Sequence, residues 1–82
     1  MRFRVEYVLN RPNTVYVIAR QLEPGSFDIV ATPRLGGAVV DGLTMPRKIK
    51  PDGSLDLELF AFTLHDQSQS SLFQVGQEVE LS

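Results

Sequence analysis

Glycine and proline punctuate this chain at short intervals, at Pro12, Pro24-Gly25, Pro33, Gly36-Gly37, Gly42, Pro46, Pro51, Gly53 and Gly76. Most runs between them alternate apolar and polar side chains with a period of two, the signature of strands, whose successive side chains leave opposite faces. Phe3, Val5, Tyr7 and Leu9 share one parity against Arg2, Arg4, Glu6, Val8 and Asn10, predicting a first strand with one buried face. Pro12 and its Asn neighbours predict a turn. Val15, Val17 and Ala19 then predict the buried face of a second strand, with Tyr16, Ile18 and Arg20 opposite. Glu23-Pro24-Gly25-Ser26 reads as the next turn, since Pro suits its first central position and Gly the second.

The middle of the chain predicts a short strand over residues 27–31, a loop, and a strand at Ala38-Val39-Val40 that residues 43–45 continue beyond Gly42. Residues 47–50 form a further short strand in this reading. Pro51-Asp52-Gly53-Ser54 signals a reversal into Leu55-Asp56-Leu57-Glu58-Leu59, with the leucines inward and Asp56 and Glu58 solvated. The same strand runs on as Phe60-Ala61-Phe62-Thr63-Leu64, so Phe60, Phe62 and Leu64 fall on the opposite, outward face. Residues 65–71 read as a polar loop, and Val79 and Leu81 alternate with Glu78 and Glu80 in a closing strand.

An 82-residue chain without cysteine has neither disulfides nor thiolate-bound zinc to supplement its core. Mass scaling gives a folded surface of roughly 5,000 Å². About six short strands are best accommodated by a closed barrel, which gives every apolar face one interior and removes exposed edges. The expected fold is all-β: one small, closed, six-stranded, mainly antiparallel barrel spanning residues 1–82.

The order Phe3, Val5, Val8, Leu9, then residues 14–18, then Leu22-Glu23-Pro24-Gly25-Ser26-Phe27, together with Phe73-Gln74-Val75-Gly76-Gln77-Glu78-Val79 near the end, resembles the second, β-barrel domain of translational GTPases such as elongation factor Tu. The resemblance implies a barrel fold and, in the factors themselves, a position beside a GTPase domain with contacts to aminoacyl-tRNA or ribosome. This chain departs from the family pattern at Arg11-Pro12-Asn13, at Asp28-Ile29-Val30, and at Arg20, where a glycine commonly ends the second strand.

Catalytic chemistry finds little support in the sequence. Gly36, Gly37 and Gly42 are not followed by the Lys-Ser or Lys-Thr of a phosphate loop, so no nucleotide is expected. Asp52, Asp56 and Glu58 lack the spacing of a calcium loop; no metal and no cofactor are expected. His65, Asp66, Ser68, Ser70 and Ser71 supply the residue types of a hydrolytic triad, but they crowd into one polar segment, whereas a triad needs a locked base and an oxyanion site. The reading is a non-enzyme with no catalytic residues.

Two features point to noncovalent binding. Arg47, Lys48 and Lys50 form the densest positive group, and Phe60 and Phe62 give an outward apolar face that Leu72 and Phe73 either cover or extend. These seven residues are the candidate interface, for a protein partner or for self-association. A partner strand adding to the edge at Ala38-Val39-Val40 is a further option. An RNA-binding, translation-associated module is the alternative, although a net charge of -2 opposes a broad nucleic-acid surface. With no apolar stretch of membrane-spanning length and no signal-type segment, a cytoplasmic protein with no membrane partner is the expectation.

Overall fold

The strands wrap around one main apolar interior, and a 3-10 helix is the only helix. The computed structural model describes residues 1–82. Strands β1 (Arg2–Arg11), β2 (Thr14–Gln21), β3 (Arg34–Leu35), β4 (Ala38–Thr44), β5 (Leu59–Leu64) and β6 (Glu78–Glu80) are joined by turns and by the 3-10 helix Gln67–Leu72. Their spatial order is β3-β4-β5-β2-β1-β6, and all pairings are antiparallel. The ends of that order meet: Arg34 and Ser82 exchange backbone hydrogen bonds at 2.9 Å in both directions, and Leu35 stands opposite Leu81. The result is a nearly closed six-stranded barrel with an accessible surface of 5213 Å².

β1 and β2 form the longest hairpin, with Pro12-Asn13 between the paired Arg11 and Thr14. The inward parity read from β1 holds at Phe3 and Val5 and then changes. Val5 faces Ala19 and Tyr7 faces Ile18, so Glu6 is an extra residue, a bulge. Beyond it Val8 packs on the core beside Val17, and Tyr7 turns outward. The bulge bends β1 and delivers the Glu6 carboxylate to the outer face beside Arg20.

β5 lies with its faces the other way round from the sequence expectation. Phe60, Phe62 and Leu64 point into the main core, while Leu59 and Ala61 join Ile18 in a smaller cluster on the outer face, with Tyr16 against it. Register explains the pairing, because Val17 is opposite Phe62 and Ala19 opposite Phe60. Phe3, Phe27, Phe60 and Phe62 make an edge-to-face ring cluster with centroids 5.1–5.9 Å apart, the geometry that aromatic quadrupoles favour. Phe73 closes another part of the same core, so Phe60, Phe62 and Phe73 are interior residues.

Two expected strands are absent. Residues 27–31 are irregular, and residues 47–50 contribute only a single bridge, Ile49 opposite Leu55. The sixth strand is the two-residue β3, turned into β4 by Gly36 and Gly37, both at positive φ (57° and 89°), which glycine adopts without steric cost. The polar segment after β5 is the 3-10 helix, capped by Asp66, whose carboxylate accepts from Ser68 N. β6 follows the expected alternation: Val79 and Leu81 are buried, Glu78 and Glu80 exposed.

Candidate functional site: a basic and apolar arm held by a buried ion pair

Between β4 and β5 the chain leaves the barrel and returns as an arm, residues 45–58. Its tip is the reversal read from sequence. Lys50 O accepts from Gly53 N at 2.9 Å with Pro51 at the first central position, Gly53 has φ 90°, and Lys50 N donates to Ser54 O at 2.7 Å. Asp52 braces the tip by accepting from Ser54 N and Ser54 Oγ at 3.0 and 2.6 Å, and these bonds hold its carboxyl below the usual carboxylate range. Below the tip, Asp56 N donates to Lys48 O at 2.8 Å.

Alternation within the arm is inverted relative to expectation. Asp56 is buried, whereas Leu55 and Leu57 are exposed, because the carboxylate meets Arg20 on the outer face of β2. Arg20 Nη2 donates to Asp56 Oδ2 at 2.8 Å and Nη1 to Oδ1 at 3.2 Å, while Nε donates to Glu6 Oε1 at 2.8 Å. The fork thus spans two carboxylates, one on the β1 bulge and one on the arm, an arrangement for which planar guanidinium is suited. Asp56 Oδ1 also accepts from Glu58 N. Hydrogen bonds from Arg20, more than its charge alone, hold the Asp56 carboxyl below its ordinary range, and those to Asp56 and then Glu6 push the Arg20 pKa up. Nothing in the local sequence pattern marks Arg20 as the residue that holds the arm, because both of its carboxylate partners are distant in the chain.

Met45, Ile49, Leu55 and Leu57 are all exposed, with Ile49 at 60%, Leu55 at 49% and Leu57 at 64%. Ile49 and Leu55 face each other across the bridge, and directly opposed side chains leave the same face of a ladder. Arg47, Lys48 and Lys50 are exposed and make no ion pair. Of the seven residues expected at an interface, the structure therefore keeps the three cations together on the arm. It places Phe60, Phe62 and Phe73 in the core and leaves Leu72 exposed beyond the arm, at the end of the 3-10 helix.

The other candidate constellations separate. Asp52 bonds Ser54 and Asp56 bonds Arg20, so those carboxylates are committed to different partners. His65 Nδ1 lies 2.7 Å from Asp41 Oδ1, both exposed, and no serine hydroxyl bonds the imidazole; Asp66 instead accepts from Ser68 Oγ. Compared with known proteins, the chain matches no family model, and no curated protein and no solved structure matches it significantly. No helix is long and apolar enough to cross a membrane.

Proposed function

We propose that this barrel is a noncovalent protein-binding module whose contact surface is the arm of residues 45–58, and that its partner presents an apolar patch with an acidic rim. One observation carries the reading. The arm adds a single buried side chain, Asp56, and spends it on an ion pair, while Ile49, Leu55 and Leu57 stay exposed. A segment that hid its apolar side chains would be stabilising the barrel; one fixed in place with them outward presents a surface to something else. Arg47, Lys48 and Lys50, exposed and without ion pairs on the same arm, supply the charge preference, which in interfaces governs orientation and association rate.

The competing assignment follows from the likeness to the barrel domain of translational GTPases, with which a small all-β barrel is compatible: the same cations would meet RNA phosphate. The two readings separate by retention experiments on the immobilised full chain at physiological salt. For the protein reading, Ile49→Ser with Leu57→Ser abolishes retention of a protein that wild type holds, and Lys48→Glu with Lys50→Glu weakens it, at unchanged melting temperature. Retention of RNA that is indifferent to the apolar pair, lost with the charge reversals and steeply salt-dependent would replace the protein reading with the RNA one.

A further inference from the structure

A second opening lies on the other side of β4. Residues 26–32 carry strand-forming side chains, Phe27, Ile29 and Val30 among them, yet no backbone group in that stretch bonds to the protein. Beside it runs β4. Ala38 and Val39 are paired with β3, Val40 N donates to Pro33 O at 2.9 Å, and from there to Thr44 the strand is bonded only to β5. The edge expected at Ala38-Val39-Val40 is thus occupied, and the free edge begins one residue later, at Asp41. Between this edge and residues 29–33 lies a cleft of about 550 Å³, whose lining includes Ile29, Val30, Val40, Leu43, Phe62 and Leu81.

We propose that this cleft binds one extended, apolar segment of a partner protein, added as a strand against residues 41–44 of β4. The occupant follows from what the cleft offers. Backbone donors and acceptors of alternate β4 residues, about 6.8 Å apart, face away from β5, and another extended main chain meets them in series. Gly42, in the middle of the edge, has no side chain to hold a second backbone away. The apolar lining selects apolar side chains at alternate positions of the added strand, and the two ionisable groups at the cleft, His65 and Asp41, bond each other. Natural sheets usually protect such edges with charge, proline or cover; here Asp41 stands at one end only.

The test uses the full chain and two blocked six-residue peptides of alternating valine and threonine, one unmodified and one N-methylated at every residue so that neither of its edges keeps a backbone donor. Amide exchange is read residue by residue by NMR. With saturating unmodified peptide, amides within residues 41–44 exchange about tenfold more slowly, and the methylated peptide has no effect. Equal protection by both peptides would mean side-chain docking without strand addition, and no protection by either would mean no site; both overturn the proposal. Protection already present in the free protein also overturns it, residues 26–32 holding the edge if protection is independent of protein concentration and a second copy holding it if protection rises with concentration.

Discussion

Replacing Asp56 by Asn removes the charge from the one ion pair that fixes the arm to the barrel. The size of the effect lies between two limits. Exposed pairs contribute about 0.2–1 kcal/mol, and stripping one partner from a fully buried pair costs about 3–5 kcal/mol. The Asp56 side chain is 6% exposed and that of Arg20 26%. Arg20 keeps Glu6 in the variant, and Asn still offers one acceptor, so the expected loss is about 2 kcal/mol. In a domain of this size that lowers the melting temperature by about 8–16 °C. The pH dependence has a definite sign. Arg20 lowers the folded-state pKa of Asp56 below the ordinary value of about 3.9 that applies to the unfolded chain. The unfolded state therefore binds the proton first, and the stabilisation is fully present above about pH 5 and lost as pH falls through the folded pKa. Urea titrations at pH 7 and at pH 3 measure both quantities: the gap between wild type and Asp56→Asn is widest at pH 7 and narrows in acid. Arg20→Met, which leaves two facing carboxylates without their cation, destabilises more than Asp56→Asn at pH 7. Trypsin supplies a local readout, because Lys48-Ile49 lies in the arm and releasing the arm speeds cleavage there. A variant within about 0.5 kcal/mol of wild type, with the same acid slope and cleavage rate, would refute the view that this pair holds the arm.

Core and arm substitutions diverge in chemical denaturation. Phe62→Ala costs about 3–5 kcal/mol, a large share of the ~4–12 kcal/mol available to a chain of this length, whereas Leu57→Ala stays within about 0.5 kcal/mol of wild type; equal costs would contradict the assignment of Phe62 to the interior and Leu57 to the surface. The two glycines of the β3–β4 turn separate in the same assay. A Cβ at Gly36 would sit 3.2 Å from Val79 Cγ1, while one at Gly37 meets nothing within 4 Å. Both residues are at positive φ, so Gly37→Ala costs about 1–2 kcal/mol and Gly36→Ala more, by whatever displacement of Val79 adds; the reverse order would mean that the closure between β3 and β6 is looser than the contacts indicate.

The parts of this fold legible in sequence are those governed by neighbouring residues. Turns at Pro12, Pro24-Gly25, Pro51-Gly53 and Gly76 announce themselves through φ preferences, and alternation sets the inward residues of β2 and β6. Alternation fails where a long-range contact intervenes. At Glu6 the bulge reverses parity so that a carboxylate reaches Arg20, and nothing within β1 marks that residue as extra. Residues 27–31 have the composition of a strand, but a strand also needs an edge to pair with, and composition carries no information about edges. The candidate site was half legible: the Arg47, Lys48, Lys50 cluster is visible as charge, whereas its apolar companions Ile49, Leu55 and Leu57 look like core until Asp56 is seen to occupy the buried position.

β5 shows how such a conflict is decided. Leu55, Leu57 and Leu59 continue one parity into Ala61, and Phe60, Phe62 and Leu64 hold the other, so a pattern count favours the longer leucine series. Area favours its rival. Within β5, at about 1.5–3 kcal/mol for each fully buried phenylalanine or leucine, Phe60, Phe62 and Leu64 together contribute roughly 4.5–9 kcal/mol as an upper bound, against about 1.5–3 kcal/mol for Leu59 and under 1 kcal/mol for the methyl of Ala61. Turning the rings inward carries Leu59 and Ala61 to the outer face, where Ile18 and Tyr16 give them a smaller shelter. It also places Arg20, opposite Leu59 in the ladder, on the outside, where Glu6 of the β1 bulge takes its Nε and the returning arm supplies a second carboxylate, Asp56, to its Nη atoms. The facing of β5 thereby fixes that of the arm: once the phenylalanines claim the interior, Asp56 turns toward the barrel and its flanking leucines turn away, so the apolar surface proposed for recognition is a consequence of how the core was filled.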